Sequence, residues 1–305
     1  MRLALADIPS PFLAEERVIA AGSDGAWHDF AVVLHRSGIV GAPDPCTLPA
    51  SLAFLAHLPR ASRRRIAQAL DAADDPILGA TLKKPLAPLS KILLTEGSTA
   101  LARSNDQRPA SMVVGFSKFA TALADPEGVI VLPDRDARYD VEAALAAVMG
   151  RGGNRFSEAA AQRSIVGFTL LAEVTHRDMF DIEARTNNSL FAKNCAALTP
   201  LGPAIIVAGL DEIGPETEVT LSLNGAVRQR FSIGDFAHSI ADAVRAWSRV
   251  VLEPGDMVAL GAAISRPRPG NALDSPVALA PGDRIEVACP PLGVLRAAVV
   301  DGSEG

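Results

Sequence analysis

Charged residues follow an apolar stretch in the segment from Gly167 to Pro203. Residues 165–171 are rich in β-branched and aromatic side chains and predict a buried strand that leads to Glu173. A carboxylate that enters from a buried strand needs a partner, because burying an unpaired charge is costly. Either Arg177 or a bound metal ion could be that partner. The pattern is consistent with a structural ion pair and with a metal-binding or catalytic carboxylate.

A lysine, Lys193, lies twenty residues after Glu173 and precedes TPLGP at residues 199–203. The two prolines and the glycine predict a rigid turn that leads into another apolar strand. In order along the chain, GFTLLAEVTHRD, Lys193, PLGP, VTLSLNGAVRQ and EPGDMVALG resemble the C-terminal domain of the fumarylacetoacetate hydrolase superfamily. The resemblance covers roughly residues 91–300.

The resemblance implies an α+β fold that is mainly β. Its large domain would be a mixed β-sandwich roll, preceded by a small N-terminal α/β domain. The 305-residue chain exceeds the usual size of one domain, and the proline-containing KKPLAPLSK at 83–91 is typical of a linker. We therefore expect a small domain over residues 1–85 and a fumarylacetoacetate-hydrolase-like domain over residues 86–305.

Local patterns predict several individual elements. In the first block of the chain, which is residues 1–85, residues 18–21 and 30–34 are predicted as short strands. Apolar spacing over residues 50–73 predicts a helix. Asn224-Gly225 predicts a two-residue hairpin turn. Residues 232–235 (SIGD) resemble a capping box and predict that a helix begins there.

A divalent metal site is implied by the resemblance. Propensity alone favours a helix for the alanine-rich residues 142–149, but the corresponding family segment is a strand carrying Glu-x-Glu, whose carboxylates bind metal. Here the first position is Glu142 and the second is Ala144. Glu173 stands where the family has an Asp ligand, and Asp140 would share the face of Glu142. We expect Mg²⁺ or Mn²⁺ held by Asp140, Glu142 and Glu173.

Cationic side chains are also assigned by the resemblance. Arg177 and Lys193 match catalytic positions near the carboxylate and oxygens of the substrate, and Lys118 in GFSKFATAL matches a substrate-binding lysine. We expect Lys193→Ala to reduce turnover with almost no change in thermal stability. His176 is a candidate general base, although strand alternation could direct it away from the site.

Several positions depart from the family pattern. The water-activating His and Glu of the hydrolases are replaced by Ala102 and Asn105, neither of which can transfer a proton near neutral pH. Phe180 and Ala262 take the place of polar substrate contacts. We therefore expect a drier pocket that favours a substrate with an apolar end.

The resemblance implies an enzyme that acts through an enolate on a 2-oxo or 1,3-dicarbonyl acid. Because the hydrolytic dyad is replaced, isomerisation, hydration or decarboxylation (an isomerase or a lyase) is favoured over C–C bond hydrolysis. Two alternatives stay open: a hydrolase of the fumarylacetoacetase or acylpyruvase type, and a non-catalytic member that binds a small acid. The resemblance also implies a homodimer.

Composition excludes several other classes of protein. A formal net charge of −6 argues against nucleic-acid binding, and no apolar run is long enough to span a membrane. Residues 1–21 carry Asp7, Glu15 and Glu16 where a signal peptide would be apolar. The three cysteines form no metal-binding cluster. We therefore expect a cytoplasmic protein without nucleic-acid or membrane partners.

Overall fold

The computed structural model describes residues 1–9, 14–43, 46–86, 90–96, 113, 115–261 and 277–302. Three positions singled out in the sequence, Ala102, Asn105 and Ala262, lie outside these ranges.

The described residues form seventeen strands, named β1 to β17 in chain order. They are Arg2–Ile8, Glu15–Ala21, Trp27–Asp29, Thr81–Lys83, Ile92–Thr95, Gly115–Lys118, Leu123–Ala124, Val129–Leu132, Tyr139–Met149, Ile165–His176, Thr199–Ile206, Glu218–Leu223, Ala226–Ser232, Met257–Gly261, Val277–Leu279, Arg284–Cys289 and Gly293–Asp301. The α-helices in the same ranges, α1 to α7, are Phe30–Ser37, Leu48–His57, Arg60–Asp71, Glu158–Ser164, Arg177–Glu183, Leu190–Asn194 and Ile240–Trp247. Each of these helices is too short or too polar to cross a lipid bilayer.

Two sheets organise the fold. Twelve strands form a large mixed sheet with the central order β3-β2-β1-β11-β10-β9-β14-β5-β6, to which β4, β7 and β15 are added at the side. The other five strands form a second sheet in the order β13-β12-β16-β17-β8. The architecture is therefore α+β and mainly β, as the sequence predicted.

The strands β9 and β10 lie in the middle of the large sheet and are covered on both faces. Val141 and Leu170 belong to the core shared with the second sheet. Ala146 and Val148 belong to the core under α1, α2 and α3, with Phe30 among the helical residues. Every residue of β9 is buried, so the segment shows no apolar–polar alternation, as expected for a strand covered on both sides. Tertiary burial thus overrides the helix propensity of its alanines, and the strand prediction for residues 142–149 is confirmed.

One predicted element of residues 1–85 is wrong, and another is helical as predicted but divided in two. Residues 30–34 lie in helix α1, because the Asp29 side chain accepts hydrogen bonds from the backbone N–H groups of Ala31 and Val32 and so begins a helix. The single helix predicted over residues 50–73 is two helices, α2 and α3, since Pro59 precedes the second.

The C-terminal predictions give a mixed result. The hairpin at Asn224-Gly225 is confirmed: both residues have positive φ, 52° and 82°, between β12 and β13. Residues 232–235 do form a capping box, but it lies at the start of a short 3₁₀ helix. Helix α7 begins later, at Ile240, with Ser239 as its N-cap. The rigid turn predicted at TPLGP is instead part of strand β11.

The predicted division near residue 85 does not separate two sheets. Strand β1 pairs with β11 of the later segment, with Arg2 opposite Ile206 and Leu3 opposite Ile205. Leu3 also packs in the core that contains Val148. The two-domain division stays a prediction, and strands from both sides of it share one sheet and one core.

Candidate functional site

The candidate site lies on one face of the β9–β10 pair. Antiparallel register places Glu142 opposite Glu173, and Asp140 opposite Thr175. Side chains two residues apart on a strand share a face, so these four polar side chains lie together. On the same face, further along β9, Ala144 and Ala146 continue into the core under the helices. The site therefore begins where an apolar face of the central strands becomes polar.

Two lysines hold the Glu173 carboxylate. Lys193 Nζ donates to Oε2 at 2.8 Å, and Lys118 Nζ lies 3.0 Å from Oε1. The Lys118 ammonium is badly aligned with Oε1, so this buried oxygen has no hydrogen bond among the described residues. Burial alone would raise the pKa of Glu173, but the charges of Lys193 and Lys118 outweigh it and lower this pKa to about 2. Glu173 is therefore a permanent carboxylate near neutral pH.

The pKa of Glu142 is shifted in the opposite direction from that of Glu173. Burial raises its pKa to about 7, and the charge of Glu173 adds to this rise, while Lys193 opposes it. Within the described ranges, no hydrogen bond or ion pair reaches its carboxylate. Glu142 is thus the carboxylate of this face that is least compensated by nearby cations.

Lys118 is a buried ammonium with backbone partners. Its side chain is 0% exposed, and Nζ donates to the carbonyl oxygens of Val174 (3.2 Å) and Lys193. Burial lowers the pKa of Lys118, and the nearby charge of Glu173 acts in the opposite direction. The predicted substrate-binding role of Lys118 stays a prediction, and in the structure its buried ammonium contacts Glu173 and the backbone of β10 and α6.

Lys193 has a mixed polar and aromatic surrounding. Besides Glu173, its Nζ donates to Thr175 Oγ1 at 2.6 Å, and it lies 4.5 Å from the ring centroid of Phe116 and 5.8 Å from that of Phe180. An ammonium carries three N–H donors, so one remains after these two hydrogen bonds. Because Lys193 is buried in an ion pair, we expect its removal to lower the thermal stability, in contrast to the almost unchanged stability expected from the sequence.

Arg177 lies at the start of α5 and closes one side of the site. Its Nε donates to Asp140 Oδ2, and its guanidinium lies 5.3 Å from the ring centroid of Phe180. Burial would lower the pKa of Arg177, but Asp140 raises it. With 26% of its side chain exposed, Arg177 is the most accessible of the three cations. Its terminal amino groups can therefore meet a carboxylate from solvent.

His176 does not join this cluster. It is opposite Tyr139 in the register, and the two ring centroids are 4.7 Å apart. Its Nδ1 accepts the backbone N–H of Met179 at 3.3 Å, which caps α5. Strand alternation directs His176 to the face opposite Glu173, so the structure gives no support to its predicted role as general base.

The predicted trio of metal ligands does not converge on one point. Asp140 is paired with Arg177, Glu173 is paired with two lysines, and no group of three His, Cys, Asp or Glu side chains in the described ranges is arranged to hold a metal. Two buried oxygens, Asp140 Oδ1 and Glu173 Oε1, nevertheless accept no hydrogen bond from the part of the chain that the structure describes, although Lys118 Nζ lies 3.0 Å from the second. With Glu142 opposite Glu173, the oxygen donors suit Mg²⁺ or Mn²⁺, which often bind to one or two carboxylates and complete their shell with water and substrate. The residues present therefore fit a weak metal site with two protein carboxylates, Glu142 and Glu173.

Sequence reasoning missed three residues of the site. Thr175 bridges Lys193 and Glu173, Phe116 lies beside the Lys193 ammonium, and Glu183 binds the backbone of α6. Thr175 and Phe116 could have been found, since they lie two residues from Glu173 and Lys118 on predicted strands. Nothing in the sequence pattern pointed to Glu183.

Comparison with known proteins gives consistent results. The family model described as fumarylacetoacetate (FAA) hydrolase C-terminal matches residues 94–300. An uncharacterised protein of Pyrococcus abyssi is 32% identical over 70% of this chain and 91% of its own length. The mitochondrial oxaloacetate tautomerase FAHD2A of Homo sapiens is 29% identical over 61% of this chain and 58% of its own length.

Solved structures share the fold over the whole chain. The maleylpyruvate hydrolase of Sphingobium sp. SYK-6, solved in complex with manganese(II) ion and pyruvate, has a TM-score of 0.71 at 22% identity, covering 99% of this chain and 100% of that one. At this identity the likeness establishes the fold alone. Because the family model matches about two thirds of the sequence, the chain belongs to the fumarylacetoacetate hydrolase C-terminal family.

Proposed function

We propose that this protein is a tautomerase or isomerase of a small 2-oxo acid and that the reaction passes through an enolate. The observation that supports this most directly is the buried cluster on the β9–β10 face, where Lys118 and Lys193 flank Glu173 opposite Glu142. Such a cluster suits a reaction that develops negative charge on a carbonyl oxygen, because fixed cations in a buried site stabilise that charge effectively. The similarity to an oxaloacetate tautomerase agrees with this class of reaction.

The cations have separate roles in this proposal. Arg177 binds a carboxylate of the substrate through its terminal amino groups, while Asp140 holds its Nε. Lys193 uses its remaining N–H on the carbonyl oxygen, which becomes the enolate oxygen when the neighbouring carbon gives a proton to a water molecule. Lys118 holds Glu173 in place. The Phe180 ring lies beside the two outer cations, Arg177 and Lys193, and limits the access of water to them.

Glu142 and Glu173 are the residues that would hold Mg²⁺ or Mn²⁺ in this protein. When bound, such an ion supplies positive charge to the oxygens of the 2-oxo acid and favours the enolate. Two protein carboxylates leave several positions for substrate and water, so we expect the affinity for metal to rise when a chelating acid is present. The ion and the small acid would then bind together.

Two measurements test the proposal. The first follows the conversion of enol to keto oxaloacetate, with Mg²⁺ or Mn²⁺, in the presence and absence of the protein. We expect an acceleration by the wild-type protein, and a rate equal to that of buffer plus metal would contradict the proposed reaction.

The second measurement is calorimetric titration with Mg²⁺ and with Mn²⁺, with and without oxalate. We expect binding that is strengthened by oxalate in the wild-type protein and weakened at least tenfold in Glu142→Gln, because one of two carboxylate ligands is lost. Glu286→Gln is the matched control, since Glu286 lies on β16 of the second sheet and pairs with Arg296. Equal binding by all three proteins would remove Glu142 from the metal site.

A further inference from the structure

Helix α6, which carries Lys193, is too short to be stable alone. It has five residues, and isolated helices of fewer than about twelve are marginal in water. Its N-cap residue, Ser189, makes no capping hydrogen bond through its side chain. Tertiary contacts must therefore hold α6 in position.

Asn188 Oδ1 accepts the backbone N–H of Leu190, and Glu183 accepts the next two N–H groups of this helix. Its Oε1 accepts the backbone N–H of Phe191 at 2.8 Å, and its Oε2 accepts that of Ala192 at 2.9 Å. These are N–H groups of the first turn, which have no partner inside a helix. Glu183 is buried, and within the described ranges no cation lies at ion-pair distance from it. Its negative charge therefore acts on the helix terminus, where it is favourable.

The other end of α6 is held by the opposite charge. Lys118 Nζ donates to the carbonyl oxygen of Lys193, near the C-terminus of the helix. The helix thus has a carboxylate at its N-terminus and an ammonium at its C-terminus, an arrangement that matches its dipole. Both contacts restrain the backbone from which the Lys193 side chain extends to Glu173.

Glu183 also connects the two helices that carry the outer cations. It is the last residue of α5, which begins at Arg177, and its backbone carbonyl accepts the N–H of Asn188 before α6 begins. The positions of Arg177 and Lys193 are therefore linked through one buried side chain.

We infer that Glu183 is a positioning residue for Lys193. This inference rests on the proposed function, in which Lys193 contacts the substrate. Glu183 sets the position of the Lys193 ammonium by fixing the start of α6, and it does not touch the substrate itself. Its effect on the reaction therefore requires Lys193 to be present.

The first test uses NMR and needs no catalytic activity. The ¹H–¹³C signal of the Lys193 Cε group is assigned by its absence in Lys193→Ala. We expect Glu183→Gln to shift this signal, because Gln has one acceptor oxygen where Glu183 uses two, and its NH₂ group would face one of the two backbone N–H groups. Asp256→Asn is the matched control: Asp256 is also buried and accepts two backbone N–H groups, those of Lys91 and Glu253, both at 2.7 Å. An unchanged Lys193 signal in Glu183→Gln, or an equal shift in Asp256→Asn, would overturn the inference.

The second test is a double-mutant cycle on keto–enol conversion. We expect Glu183→Gln to lower kcat about tenfold with less than a twofold change in KM, since small displacements of a group at the reacting atoms have large effects on rate. In the Lys193→Ala background, the same substitution should change kcat less than twofold. Equal effects in both backgrounds would show that Glu183 acts independently of Lys193 and would overturn the inference.

The two tests also separate this inference from the proposed function. A wild-type protein without tautomerase activity would contradict the proposed function, and the NMR comparison would still decide whether Glu183 positions Lys193. If Glu183→Gln fails to fold, Glu183→Asp replaces it, because this variant keeps the charge but retracts it by one methylene group. It should shift the Lys193 signal in the same way.

Discussion

Glu142 and Glu173 lie directly opposite each other across the β9–β10 pair, yet their pKa values are about 7 and about 2. Both carboxylates are buried, so burial does not explain the difference. Lys118 and Lys193 form ion pairs with Glu173 and lower its pKa. Their charges lower the pKa of Glu142 much less. One face of one strand pair therefore carries a permanently charged glutamate beside another that titrates near neutral pH.

This difference predicts a pH-dependent stability. The pKa of Glu142 is about 7 in the folded protein and about 4.5 in an unfolded chain, so the folded state binds the proton more tightly. The stabilisation is present below pH 4.5 and is lost as the pH rises through 7. Relative to Glu142→Gln, the wild-type protein should lose about 2 kcal/mol of unfolding free energy between pH 5 and pH 8. Urea denaturation in the presence of a chelator measures this, and a difference that is constant with pH would contradict the prediction.

Lys193→Ala should reduce both activity and stability. We expect turnover to fall about 100-fold, because the group that faces the developing enolate oxygen is lost. The free energy of unfolding should fall by about 2 kcal/mol, since Glu173 loses one charged hydrogen bond but keeps Lys118. Lys193→Arg should recover part of both losses. Lys91→Ala is the control, because Lys91 is also a lysine in an ion pair, with Glu253 and Asp256, but lies outside the site. Unchanged turnover in Lys193→Ala would remove this residue from the site.

Phe180 should determine how the site treats apolar substrates. Its ring lies close to both Arg177 and Lys193, so a substrate held by these cations must pass along it. We expect Phe180→Gln to shift the ratio of kcat/KM values, for oxaloacetate against a 2-oxo acid with an alkyl or phenyl end, about tenfold toward oxaloacetate. Phe191→Gln, which alters a phenylalanine that is 65% exposed on α6, should leave this ratio unchanged. Equal ratios in the wild type and Phe180→Gln would show that the ring does not line the substrate pocket.

Residues 86–305 should not form a stable protein alone. Without the first block, β11 loses its pairing with β1, and the core beside β9 loses Leu3, Phe30 and Leu52. The exposed strand edge and apolar face would favour aggregation. Circular dichroism and size-exclusion chromatography of this fragment should show aggregated or partly unfolded protein. A monodisperse fragment with a cooperative thermal transition would support the two-domain division predicted from the sequence.

The sequence was most informative where residue spacing and strand geometry act together. The opposition of Glu142 and Glu173 follows once both segments are recognised as adjacent strands, and the hairpin at Asn224 follows from local turn chemistry. The helix at residues 30–37 was missed because the short apolar run at its start fits a strand equally well, and the Asp29 cap decides the outcome.

The burial of Lys118 could not have been predicted from the sequence. Lysine is among the residues that are rarely buried, and only the three-dimensional arrangement supplies a carboxylate and two carbonyl oxygens for its ammonium. The role of Glu183 was missed for a similar reason. Its partners are backbone N–H groups on another helix, and backbone partners leave no pattern in the sequence.

The pairing of β1 has a consequence for the order in which the chain folds during synthesis. Most of β1 pairs locally, with β2 on one edge and β4 on the other, and these contacts can form once residue 83 has emerged. Arg2 and Leu3 also pair with β2, but on their other edge they pair with Ile206 and Ile205, about 200 residues later in the chain. Contacts of such separation form slowly. One edge of Arg2 and Leu3 therefore stays unpaired until β11 has been synthesised. Only then can β1 and β2 join the rest of the large sheet.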